Sequence, residues 1–201
     1  MAEERDTDAQ IIARSLSQTH EFGKIFERHF EAIFRFCARR IGVQEARDAA
    51  SEVFERAFRL RHRFDLTRES CLPWLYGIST NVVGDRLRKS KRRRRLFRQV
   101  VRDATATFDS DSVDNRVLME SVGDQIERAL STLSKRDRDT FLLFALKELT
   151  YEEIAYAQGV PLGTVGSRIN RARRKLAEQI PDLIQLLESG HPWKPDEGDA
   201  R

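Results

Sequence analysis

Residues 150–176 read TYEEIAYAQGVPLGTVGSRINRARRKL, and the placing of their small and branched side chains predicts a helix-turn-helix. Ala155 suits the point where the first helix meets the second, Gly159 supplies the turn, and Val165 points from the second helix into the interhelical core. Ile154, Val160 and Ile169 fall on the same inward face. Local signals agree. Thr150 and Glu153 stand at capping-box spacing, so the first helix is expected to start near Tyr151. Gly159 suits a left-handed helix exit, Pro161 keeps the residue before it extended, and Gly163 and Thr164 open the second helix. That helix carries Arg168, Arg171, Arg173, Arg174 and Lys175, and no Asp or Glu occurs from Ile154 to Ala177, so a phosphate backbone meets little repulsion. Ser167, Arg168, Asn170 and Arg171 lie off the Val165, Ile169, Ala172 and Leu176 stripe and are the candidate groove-facing residues. The plain alternative is a solvated basic helix in a small bundle.

The 201 residues suffice for one large domain or two small ones. Charged residues make up 34% of the chain, yet the net charge is only +4, because the charge is segregated. Arg86 to Arg102 holds ten basic residues and no acidic one; Asp103 to Glu127 holds seven acidic residues against the single Arg116. Such asymmetry points to a polyanion partner and an acidic tether. Cys37 and Cys71 have no Cys or His nearby at metal-ligand spacing and read as reduced core thiols, so neither a metal nor another cofactor is expected. No stretch reaches the apolar length of a membrane span, and the opening MAEERDTDAQ is acidic where a signal peptide is basic, so a cytoplasmic protein without membrane insertion is expected.

Apolar residues recur at helical spacing almost throughout, which predicts an all-α protein. A first core helix runs from about Phe22 to Gly42. A second starts near Gln44 with Ala46, Ala50, Val53, Phe54 and Ala57 inward and the carboxylates of Asp48, Glu52 and Glu55 outward. Residues 61–72 read as a loop, and a long helix then runs from about Trp74 into the basic run. On it Asn81, Asp85 and Arg88 share one polar face. The expected organisation is an N-terminal tail over 1–20, a helical domain over 21–98, a flexible acidic linker over 99–123, a helix-turn-helix domain over 124–180 and an extension over 181–201. Within the second domain, Ser134 and Asp137 form another capping pattern.

Three separated pieces in this order resemble the extracytoplasmic function (group IV) sigma factors of bacterial RNA polymerase. EARDAASEVFERAF (45–58) is similar to region 2.2, LPWLYGISTNVVGDRLRKSKRR (72–93) to regions 2.3 and 2.4, and LTYEEIAYAQGVPLGTVGSRINRARRKL (149–176) to region 4.2. The resemblance implies a non-enzymatic protein that binds core RNA polymerase and directs it to promoters. By position, Asp48, Glu52 and Glu55 would meet a coiled coil of the largest polymerase subunit. Asn81, Asp85, Arg88, Lys89, Lys91 and Arg92 would hold the minus-ten element as single-stranded DNA, with loop 63–70 around a flipped base and Trp74 mainly a core anchor. Thr164, Val165, Ser167, Arg168, Asn170, Arg171 and Arg174 would hold the minus-thirty-five duplex, the first two through helix N-terminal amides. The resemblance also implies contact with the flap of the second-largest subunit and control by an anti-sigma factor. Gly166 stands where the family often has Lys and costs the helix roughly 1 kcal/mol relative to Ala. Ser134 stands where Pro is common. Two other classes compete. An autonomous helix-turn-helix regulator explains residues 124–180 only, and a DNA-cleaving enzyme lacks a carboxylate cluster or nucleophile at coherent spacing.

Overall fold

A computed structural model describes residues 6–105, 122–145 and 149–180. Among these the chain is helical, without strands, and divides into two compact units drawn from residues 1–113 and 114–201. The first unit contains α1 (Asp8–Ser15), α2 (Gly23–Ile41), α3 (Val43–Leu60) and α4 (Leu72–Thr105), with 3-10 turns at Thr19–Phe22 and Arg61–Arg63. The second contains α5 (Val122–Thr132), α6 (Lys135–Ala145), α7 (Tyr151–Gln158) and α8 (Leu162–Ala177).

In the first unit the stripe of Ala46, Ala49, Ala50, Val53 and Ala57 is fully buried, and its small side chains let α3 lie close to α2 and α4. Larger groups fill the remaining space. Ile25, Ile33 and Phe36 of α2 and Leu75, Tyr76 and Val82 of α4 are all at most 1% exposed, and the Phe36 and Tyr76 rings stand 5.2 Å apart. Gly42 makes the reversal between α2 and α3 at φ 80°, a left-handed conformation that a side chain would strain.

The N-terminal segment departs from the expected tail over 1–20. Thr7 caps α1, its hydroxyl accepting from the Gln10 amide while the Gln10 side chain accepts from the Thr7 amide. Ile11 and Ile12 are 1% and 0% exposed, so this short helix is a packed part of the first domain. Each such side chain contributes about 1.5–3 kcal/mol on burial. Thr7 and Gln10 give a capping-box signal, and Ala9, Ile11, Ile12 and Ser15 share the buried face that tertiary packing covers. The other correction concerns the linker expected over 99–123. α4 continues to Thr105 and α5 begins at Val122, because the basic run consists of good helix formers without Gly or Pro. Residues 106–121, the extension 181–201 and Leu146 lie outside the described residues.

In the second unit Ala129, Leu133 and Phe141 pack with Ala172 and Leu176 of α8. The Ser134 hydroxyl accepts from the Asp137 amide and donates to the Asp137 carboxylate, which caps α6. Thr150 and Glu153 form the capping box of α7, and Gly159 ends that helix at φ 62°. Chain direction turns there, so that Val165 and Ile169 of α8 and Ile154 of α7 are 0% exposed.

Candidate nucleic-acid and polymerase interface

The recognition helix α8 separates its side chains cleanly. Val165, Ile169, Ala172 and Leu176 are buried, whereas Ser167, Asn170, Arg171, Arg174 and Lys175 are exposed. Arg173, four positions after Ile169, turns inward with its guanidinium 5.3 Å from the centre of the Phe144 ring. It is thereby withdrawn from the outward face.

Two outward arginines are already engaged within the domain. Arg168 donates to Gln158 Oε1 at 3.0 Å, and the same oxygen accepts from the Thr140 hydroxyl at 2.7 Å. Arg171 donates to Asp137 at 3.0 Å. Burial alone would raise the Asp137 carboxyl, but the Ser134 and Arg171 hydrogen bonds hold it below the ordinary carboxylate range. Both arginines therefore leave α8 in set directions and keep further donors, since a guanidinium carries five. Sequence patterning placed them on the right face and missed Gln158 and Asp137, which come from other helices.

The amide positions need revision. The Thr164 amide donates to the Pro161 carbonyl at 2.9 Å while its side chain is half-buried, and Val165 is fully buried, so the Thr164 amide is already engaged and Val165 faces the core. α8 has no side-chain cap, which leaves the amides of Leu162 and Gly163 as its first-turn donors. The Leu162 side chain is 49% exposed at the same end.

On the first unit, Asp48, Glu52 and Glu55 line one shallow surface concavity with Ser51, Arg56, Arg59 and Arg86. Two of the three outward carboxylates are held by arginines of the same unit. Glu52 accepts from Arg56 at 2.6 Å and from Arg86 of α4 at 2.9 Å, and Glu55 pairs with Arg59. Partial burial would raise the Glu52 carboxyl, yet Arg86 and Arg56 hold it below its usual range. Asp48 is exposed and makes no ion pair with a described residue. This concavity is thus a mixed-charge surface that includes the exposed Asp48.

The polar face of α4 is similarly prearranged. Asp85 pairs with Arg88 and lies 3.6 Å from Arg56, which also holds Glu52, so one arginine joins the carboxylate surface of α3 to the polar face of α4. Asn81 is exposed and donates to the carbonyl of Gly77, one turn earlier, at 3.2 Å. Arg88, Lys89 and Arg92 are exposed; Lys91 lies on α4 with its side chain outside the described residues. Trp74 packs at 5.5 Å on Phe64, the first buried residue of the loop, which fits an anchor. Cys37 and Cys71 are buried free thiols, and burial pushes the Cys37 thiol up to about 11. None of the described helices is long and apolar enough to cross a membrane.

Comparison with known proteins gives this geometry its context. The model of Sigma-70 region 2 matches residues 25–93, and that of Sigma-70 region 4 matches residues 123–176. The chain is 34% identical over 169 residues to "ECF RNA polymerase sigma factor SigW" of Bacillus subtilis (strain 168), covering 81% of this chain and 90% of that protein. It is 31% identical over 180 residues to "ECF RNA polymerase sigma factor SigC" of Mycobacterium tuberculosis (strain CDC 1551 / Oshkosh), covering 87% of this chain and 94% of that protein. Among solved structures, CnrH in complex with the cytosolic domain of CnrY has a similar fold, with a TM-score of 0.58 and 23% identity over 87% of this chain and 97% of that one. The sigma factor RpoE from Bartonella quintana, in complex with the anti-sigma factor NepR, is similar with a TM-score of 0.52 and 22% identity over 81% of this chain and 98% of that one. The chain belongs to the extracytoplasmic function RNA polymerase sigma factors, which bind core polymerase and start transcription at specific promoters.

Proposed function

We propose that the two units grip a promoter at two points while the first also docks on core polymerase. The observation that carries the reading is the outward face of α8: Ser167, Asn170, Arg171 and Arg174 are exposed opposite a fully buried apolar stripe. Ser167, Arg168, Asn170 and Arg171 enter the major groove of the minus-thirty-five duplex. Arg174, with the amides at the start of the helix, meets its phosphates.

On the first unit, Asn81, Asp85 and Arg88 hold the minus-ten element as single-stranded DNA while Lys89, Lys91 and Arg92 neutralise its backbone. Loop 63–70 receives a flipped base. Asp48, with Glu52 and Glu55 beside it, meets a basic surface on the coiled coil of the largest polymerase subunit, and the second domain meets the flap of the second-largest one. An anti-sigma factor holds the protein inactive; the RpoE structure with a similar fold is a complex with such a factor.

Sequencing transcripts made in vitro by core polymerase with and without the full chain tests the reading. Start sites that appear only with the chain, sharing two elements upstream, are expected. Transcripts indistinguishable from those of core enzyme alone would refute it, and duplex binding without core binding would favour the autonomous regulator.

A further inference from the structure

The N-terminal helix holds both ends of the segment that contains the promoter-reading loop. At one end, Arg61 Nε donates to the Ser15 carbonyl at the C-terminus of α1, 3.3 Å away. At the other, the Asp8 amide donates to the Glu69 carbonyl at 2.9 Å, and the Cys71 amide donates to Asp8 Oδ2 at 2.9 Å. Asp8 is 3% exposed and is anchored from below by α2. His29 Nε2 lies 2.7 Å from Oδ2, and Arg28 donates to Oδ1 at 2.6 Å. Burial opposes the charge on this carboxylate, but the His29, Cys71 and Arg28 hydrogen bonds outweigh burial and keep it ionised.

Between the two clamps the loop has its own order. Asp65 accepts from the amide and hydroxyl of Thr67, at 3.1 and 2.7 Å, and Phe64 packs on Trp74. Leu66 is 47% exposed at the outer side.

Asp8, His29 and Cys71 also place ligand-type atoms within 4.8 Å of one another. The 2.7 Å between His29 and Asp8 is nevertheless a hydrogen-bond length, whereas two ligands of one tetrahedral zinc stand about 3.3 Å apart, and Arg28 on the same carboxylate opposes a cation. The cluster is a hydrogen-bond hub.

We propose that α1 is the frame that sets the shape of loop 63–70, with Asp8 as its positioning residue, so that base selection at the minus-ten element depends on a carboxylate that touches no DNA. This rests on the assignment of the loop to the minus-ten element made above. Removing a buried acceptor leaves the Cys71 amide unpaired and takes the carboxylate from His29, while Arg28 keeps the Asp6 carbonyl at 3.0 Å, so the end of the loop is freed.

The test uses full-length chain with core polymerase and forked promoter DNA in which minus-ten bases are replaced one at a time. Asp8→Ala is expected to speed hydrogen exchange at the Cys71 amide and to flatten the preference for the correct bases about tenfold, the effect of losing one hydrogen bond to a charged group. Core affinity and minus-thirty-five duplex affinity are expected to hold. Arg61→Ala loosens the opposite end and leaves the hub intact, so it serves if Asp8→Ala does not fold; it is expected to flatten the same preference. Faster exchange with an unchanged base preference would overturn the inference. Thr67→Ala is the control within the loop. If it shifts base preference while the two frame variants do not, this inference alone fails; if none of the three shifts it, the loop assignment fails and takes the inference with it.

Discussion

Arg171→Ala measures what the recognition helix contributes. In the free protein Arg171 is 49% exposed at its side chain and shares one donor with Asp137 at 3.0 Å. An ion pair half in water is worth about 0–1 kcal/mol, so truncation leaves stability within about 1 kcal/mol of the parent. Asp137 keeps the Ser134 hydroxyl at 2.7 Å and is not orphaned. The cost on DNA is larger. A guanidinium reading a base edge contributes about 1–3 kcal/mol, so affinity for the minus-thirty-five duplex is expected to fall about 5- to 150-fold.

Salt dependence separates the two modes of contact. A lost phosphate contact lowers the slope of log affinity against log salt by about 0.9, and a lost base contact leaves it unchanged. Fluorescence anisotropy with a labelled duplex at several salt concentrations gives both quantities, and core affinity is read in parallel. Retention of affinity within about twofold would remove Arg171 from the interface. Equal loss of duplex and core binding with a large fall in thermal midpoint would show that the Arg171–Asp137 pair serves folding instead.

Asn81→Ala is expected to slow promoter opening, read by a fluorescent base analogue in the minus-ten element, while core binding holds; unchanged opening across promoters would withdraw Asn81. Gly166→Lys meets open space, since a Cβ there has no atom within 4 Å, and is expected to stabilise α8 by up to about 1 kcal/mol while raising duplex affinity and steepening its salt slope. Lower duplex affinity would refute it. Ile12→Ala is expected to cost about 2–4 kcal/mol in chemical denaturation, because the side chain is 0% exposed; no loss would return residues 8–15 to the status of a tail. The depressed Asp8 carboxyl makes stability fall at low pH. Its contribution is complete above its unfolded value of 3.8 and is lost as pH drops from there through the folded value, so Asp8→Asn is expected to lessen acid sensitivity of the first domain below pH 4, which acid titration by circular dichroism checks.

Much of the fold is written in short-range pattern. The capping residues Thr150, Glu153, Ser134 and Asp137, the turn glycines Gly42 and Gly159, and the stripes of α3 and α8 each depend on neighbours within about one turn of helix. The inward turn of Arg173 was not read from the sequence, which grouped it with the other basic residues of α8, although it follows Ile169 by one turn. α1 was not read from the sequence although Thr7 and Gln10 stand at capping-box spacing; eight residues make a marginal helix alone, and its packing on α2 and the loop decides that it is part of the domain.

By itself, then, the amino-acid sequence determined an all-helical chain, the helix-turn-helix and which arginines face outward from it, because helical periodicity and capping are local. Only the tertiary structure decided how those groups are held. Arg171 finds Asp137 across 34 positions, Arg86 reaches Glu52 across 34, and the Cys71 amide reaches Asp8 across 63. Such partners depend on the angle and register at which helices pack, which the filling of the core sets and no local spacing encodes.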